Sequence, residues 1–122
     1  MDKQKILIVD DEDDVLSVLE KGLTGKGYLV ATASNGKDAI MLANSKQPDL
    51  ILLDILMPDM DGTEVAGKLR EDPMTKDIPV MFLTCLYTKG EERENRSTIG
   101  NNLMVAKPYD MEELLVGIEK VI

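Results

Sequence analysis

The chain has 122 residues, with 14 basic against 23 acidic side chains for a formal net charge of −9, and 43% of its residues are hydrophobic against 30% charged. That is the size and balance of one globular domain able to hold an ordinary core without disulfides. The acidic balance excludes direct nucleic-acid binding, which needs a cationic surface, while the lack of any His and the single Cys85 exclude His-based catalysis, zinc centres and an internal disulfide.

Short dense apolar runs alternate with longer amphipathic stretches, with no repeat or linker between them. Lys5–Val9 reads as a first strand, nearly continuous in Ile, Leu and Val, as expected of a strand covered on both faces. Val15, Leu16, Val18, Leu19 and Leu23 then share a helical face, with Gly25 and Gly27 as C-terminal stops. Residues 28–33 give a second strand, and Ala39, Ile40 and Ala43 a second helix that ends before Gln47-Pro48. Residues 50–53 form a third strand, followed after Asp61-Gly62 by a helix whose face is Val65, Ala66 and Leu69. Val80–Thr84 and residues 103–106 complete the strands. The stretch 89–98 is polar throughout, so a helix there has nothing to dock and is marginal. Asp110 with Glu113 has the spacing of a capping box, opening a last helix with the face Leu114, Leu115, Ile118 and Val121. This alternation implies an α/β fold, a doubly wound five-stranded parallel sheet with helices on both faces, in a single domain over 1–122. No secretion signal or long apolar run is present, so a cytoplasmic location and no membrane association are expected, and no output domain is expected in the chain that ends at Ile122.

Ligands of such sheets bind beyond the carboxyl ends of the strands. Those ends carry Asp10, Asp11 and Glu12 after the first strand, Asp54 after the third, Thr84 after the fourth and Lys107 after the fifth. Acids gathered on one edge repel one another unless a cation compensates them, and all-oxygen donors favour a hard ion such as Mg²⁺. Thr84 and Lys107 are not needed for a metal; a hydroxyl and an ammonium beside it suit an anion with several oxygens, a phosphoryl group above all. Asp54, alone at the end of a central strand, is the carboxylate placed to accept it as an acyl phosphate. Singly, each residue has a plainer role: an aspartate as helix cap, Thr84 as a strand-terminal β-branched residue, Lys107 as a solvated cation. Independent capping does not account for all of them on one edge. Cys85 reads as a packing residue, most of the methionines as core fillers, and residues 59–62 as a turn without the spaced ligands of a calcium loop.

The runs Ile-Leu-Ile-Val-Asp10-Asp11-Glu12, Pro48-Asp49-Leu50-Ile51-Leu52-Leu53-Asp54, Met57-Pro58-Asp59-Met60-Asp61-Gly62, Phe82-Leu83-Thr84 and Ala106-Lys107-Pro108-Tyr109 together resemble the receiver domain of bacterial two-component response regulators, in order and over essentially the whole chain. The resemblance implies a flavodoxin-like receiver fold with strand order 2-1-3-4-5. It implies a phosphorylation-dependent signalling switch, with Asp54 taking a phosphoryl group from a sensor histidine kinase or a histidine phosphotransfer protein and passing the signal to a downstream protein. Asp11, Asp54 and the backbone carbonyl of Leu56 would hold Mg²⁺, with Asp10 completing the metal site by orienting a metal-bound water; Thr84 and Lys107 would contact phosphoryl oxygens, and the Lys107-Pro108 peptide would be cis. Such a domain catalyses only its own modification and its reversal, and is not an enzyme for a separate substrate. Met104 departs from the family, which usually has an aromatic ring three residues before the lysine. Leu56 and Leu86 put apolar bulk beside the acceptor and the threonine, which implies slow loss of the phosphoryl group. Two other functions share parts of the pattern: a pseudo-receiver scaffold not regulated by phosphorylation, and a Mg²⁺-dependent aspartyl phosphohydrolase, which typically has a second acid where this chain has Leu56.

Overall fold

The computed structural model describes residues 3–55, 57–58, 60–84, 98–99, 102–106 and 111–122. Its strands are β1 (Lys5–Val9), β2 (Leu29–Ala33), β3 (Leu50–Asp54), β4 (Val80–Thr84), β5 (Thr98–Ile99) and β6 (Asn102–Ala106). Its helices are α1 (Asp13–Gly25), α2 (Gly36–Lys46), α3 (Gly62–Glu71) and α4 (Met111–Val121). The sheet order is β2-β1-β3-β4-β6-β5. Every pairing from β2 to β6 is parallel, so β6 takes the place of the expected fifth strand and the order 2-1-3-4-5 is observed.

One strand is additional. β5 pairs antiparallel with β6, Thr98 opposite Leu103 and Ile99 opposite Asn102. Only Gly100 and Asn101 separate the two strands in sequence, and a Gly-Asn pair between extended segments is a two-residue hairpin signal that the polar composition of the region obscures. The marginal helix expected over 89–98 falls, apart from Thr98, outside the described residues.

Alternation along the central strands divides the core into two layers. Leu7 and Val9 of β1, Ile51 and Leu53 of β3, and Val80 and Phe82 of β4 pack with Ala39 and Ala43 of α2 and with Val65, Ala66 and Leu69 of α3. Their strand neighbours Ile6, Ile8, Leu50, Leu52, Met81 and Leu83 pack with Leu16, Leu19 and Leu23 of α1 and with Leu114 and Ile118 of α4. Both faces of β1, β3 and β4 are thus covered, which is why these segments are apolar without interruption. Burying a Leu or Ile of this kind contributes about 1.5–3 kcal/mol, and the two layers together fix the register of the central strands.

Caps set where the helices start and stop. Asn35 opens α2, its side chain accepting the Asp38 N–H at 2.8 Å, and Asp61 opens α3 by accepting the Glu64 N–H at 3.0 Å. α1 runs through Gly25, and it is Gly27, at φ 99°, that takes the reversal after it. At the end of α2 the reversal falls instead on Gln47, at φ 49°, whose side-chain amide donates to the carbonyls of Ala43 at 3.3 Å and Asn44 at 3.0 Å.

Candidate functional site

β1 ends at Val9, and Asp10 continues it: its N–H donates to the Ala33 carbonyl of β2 at 3.1 Å, and its side chain is fully buried. Asp10 Oδ1 accepts the Glu12 N–H at 2.9 Å, which turns the chain out of the sheet and into α1. This is a turn bond at the strand end and not a helix cap: the N-cap of α1 is Glu12, and no side chain caps that helix. Asp11 and Glu12 are exposed. Carboxylate oxygens of Asp10, Asp11 and Glu12 lie within 4.8 Å of one another.

Asp54 ends β3 and is 4% exposed. Register brings it to the same level as Asp10. Ile6 pairs with Leu50 and each following residue keeps step as far as Val9 with Leu53, so Asp10 and Asp54 are the next positions on adjacent parallel strands. Neighbouring strands stand about 4.8 Å apart. Both residues also continue the even-numbered positions, Ile6 and Ile8 in one strand and Leu50 and Leu52 in the other, that pack on the α1 and α4 side.

Past Asp54 the backbone stays tied down. The Ile55 N–H donates to the Leu83 carbonyl of β4 at 3.1 Å, and the Gly62 N–H at the start of α3 donates back to the Ile55 carbonyl at 2.8 Å. Met57 is buried among the α2 and α3 side chains, with Met60 packed against the same layer. Both are core fillers, as expected of most methionines, whereas Met41 and Met74 are exposed. Thr84 is the last residue of β4, its backbone paired with Ala106 of β6, which places it on the same sheet edge. Leu56 and Lys107 lie outside the described residues, as do Cys85 and Leu86. Met104 is a strand residue opposite Phe82.

Of the residues singled out in the sequence, Asp10 and Asp11 come together, Asp54 stands beside them in the adjoining strand, and Thr84 lies on the same edge two strands from Asp10. Glu12 adds a third carboxylate to the tight group, which does not include Asp54. Its signal was its place in the unbroken acidic run from Asp10 to Asp14 after β1. All donors of that group are hard oxygens, a set that fits a small divalent cation such as Mg²⁺ and offers nothing to a soft metal. At the start of α3, the Asp61 carboxyl is held below the ordinary aspartate pKa first by the Thr63 hydroxyl, donating at 2.6 Å, and then by the Glu64 N–H.

A parallel sheet of this order, with acids massed at its carboxyl edge, is matched by the family model of the response regulator receiver domain over residues 6–119. The chain belongs to this family. As a receiver domain it is 38% identical over 120 residues to the probable transcriptional regulator ycf27 of Guillardia theta, covering 98% of this chain and 46% of that one. The chain thus spans about half the length of the curated relatives of this kind. Among solved structures, the chemotaxis protein CheY4 of Vibrio cholerae aligns with a TM-score of 0.86 at 29% identity, covering 99% of this chain and 100% of its own. The receiver domain of sensor histidine kinase PA1611 from Pseudomonas aeruginosa, with a magnesium ion coordinated in its active site cleft, aligns with a TM-score of 0.83 at 27% identity, covering 98% of both chains. The receiver is thus a response-regulator signalling module of two-component systems, with the flavodoxin-like fold expected from its sequence. No helix among the described residues is long and apolar enough to cross a membrane.

Proposed function

We propose that this receiver is a Mg²⁺-dependent phosphorylation switch in which Asp54 is the acceptor. A carboxylate oxygen of Asp54 attacks the phosphorus of a phosphohistidine on a sensor kinase or histidine phosphotransfer protein. An O–P bond forms as the P–N bond breaks, and the imidazole leaves with the electron pair, giving an acyl phosphate. Asp11, Asp54 and the Leu56 carbonyl would hold the ion, with Asp10 orienting a water bound to it. Bound there, Mg²⁺ would offset charge on the transferred oxygens. The Thr84 hydroxyl and the Lys107 ammonium donate to those oxygens and hold the new charge once it is in place. The output is a change in affinity for a downstream protein, biased by this local change of charge.

The observation that carries the reading is the β1–β3 register, which sets buried Asp54 beside buried Asp10 and the Asp10-Asp11-Glu12 group at one sheet edge. Incubation of the protein with acetyl phosphate and Mg²⁺, followed by intact mass spectrometry, tests it. One phosphoryl group is expected per chain, absent with a chelator and absent in Asp54→Asn. Modification that persists in Asp54→Asn would sink the proposal.

A further inference from the structure

Two glycines bracket the connection between β3 and α3, and each is required by space. Neither has the left-handed backbone that calls for glycine; among the described glycines only Gly27 has a positive φ. A Cβ built on Gly62 falls against the Asp54 carbonyl oxygen, 2.8 Å from Ile55 Cα and 3.0 Å from the Asp54 carbonyl carbon. Every one of those atoms is backbone, so no side chain can swing aside. The same residue is held in place by its N–H bond to the Ile55 carbonyl and by the Asp61 cap that opens α3. Gly36, which begins α2, faces the far end of the connection: a Cβ there would stand 2.8 Å from Val65 Cγ2, 2.9 Å from Met60 Sδ and 3.0 Å from Met60 Cβ.

We propose that Gly62 and Gly36 are positioning residues for the phosphoryl acceptor, Gly62 by seating the start of α3 directly on the Asp54–Ile55 peptide and Gly36 by giving Met60 room to hold the other end of the connection. This rests on Asp54 being the acceptor. A methyl group at 62 drives the Asp54 carbonyl and the Ile55 backbone away from α3, and with them the carboxylate. A methyl at 36 meets side-chain atoms that can yield in part, so its effect is smaller. Misplacing a reacting group by about 1 Å can cost on the order of 100-fold in rate.

The test follows modification of the full chain by acetyl phosphate, at saturating Mg²⁺ and at a temperature where circular dichroism shows each variant folded. Gly62→Ala is expected to lose about 10- to 100-fold in the saturated rate, and Gly36→Ala a few-fold, on the same grounds of misplacement. Leu23→Ala, which opens a cavity in the α1 layer, controls for lost stability, and Gly67→Ala, whose added methyl meets nothing within 4 Å, controls for the glycine change itself. Both are expected to react at the wild-type rate. A purely structural role for Gly62 lowers the unfolding midpoint and leaves the saturated rate at that of Leu23→Ala, and that result overturns the inference. Should Gly62→Ala not fold, Gly36→Ala decides, and a wild-type rate there overturns it. Wild-type protein that takes no label, or Asp54→Asn that takes as much, instead overturns the acceptor assignment and the positioning role with it.

Discussion

The two ends of the parallel sheet use aspartate in opposite ways. At the amino end, Asp49 is tied into the connection leading to β3: its Oδ2 accepts the Lys5 N–H at 2.8 Å, its own N–H donates to the Lys5 carbonyl at 2.8 Å, and Lys5 Nζ reaches the Lys46 carbonyl at 3.2 Å. The acid there bonds the backbone of Lys5 and so ties the start of β3 to the start of β1. At the carboxyl end, three carboxylates crowd within 4.8 Å and buried Asp54 stands in the next strand. One arrangement spends its aspartate on backbone groups; the other gathers three carboxylates of like charge at one place. That contrast, more than any single aspartate, is what supports placing the proposed site at the carboxyl edge.

The largest effect expected from breaking the contrast is a difference between two chemically identical substitutions. Asp54→Asn removes a nucleophilic carboxylate and abolishes phosphoryl acceptance. Asp49→Asn keeps an acceptor oxygen for the Lys5 N–H, leaves acceptance unchanged, and costs at most about 1 kcal/mol of stability through the weaker neutral hydrogen bond. Acceptance by mass spectrometry and unfolding by denaturant titration read the two effects separately. Equal loss of acceptance in both variants would erase the distinction between the ends.

Next in size is the response to divalent ions. Two unit charges 4 Å apart in water-like surroundings interact by about 1 kcal/mol, so thinning the carboxyl-end group should be visible in stability. Asp11→Asn is expected to raise the unfolding midpoint in chelator and to lose most of the further rise that Mg²⁺ produces in the wild type. A variant that gains as much from Mg²⁺ as the wild type would remove Asp11 from the ion's ligands.

A smaller effect is expected at the cap of α3, beside the acceptor connection. Asp61→Ala removes the acceptor of the Glu64 N–H, a loss worth about 1 kcal/mol for a helix N-cap. Because the folded-state pKa of Asp61 is depressed, its contribution is present above the ordinary aspartate value and is lost as the pH falls through the lower folded value. Asp61→Asn retains an acceptor that does not titrate, so it should flatten this part of the acid-side stability profile. The residue is partly exposed, and added salt should shrink the pH-dependent part.

Much of this architecture was legible because the central strands are covered on both faces. Lys5–Val9 and Val80–Thr84 have the bounds read from their apolar runs, and β3 extends the run by one residue to include Asp54. The acids of the edge were legible for a related reason: an apolar strand that ends abruptly in Asp marks its own carboxyl end. What the pattern could not carry was contact between residues far apart in sequence. Gly62 reads as an ordinary helix-opening glycine until the Asp54 carbonyl is found against it. Gln47 reads as the residue before a proline, and its left-handed backbone depends on two side-chain bonds to the helix it ends. β5 escaped because two residues carry no periodicity.

The smallest predicted effect tests whether glycine matters at the acceptor end through space and not through composition. Gly67 lies in the middle of α3, exposed, with no positive φ and open space where a Cβ would go. A glycine inside a helix gives up more backbone freedom on folding than alanine does, so Gly67→Ala should stabilise the protein by about 0.5–1 kcal/mol. Gly62, five residues earlier in the same helix, faces the same propensity gain and an immovable backbone. Opposite signs in thermal unfolding for the two alanine variants are therefore expected, and only the destabilising one should slow acceptance. If both variants gain stability, the Asp54–Ile55 peptide is not pinned by α3, and the acceptor end of the sheet is no more tightly constrained than its amino end.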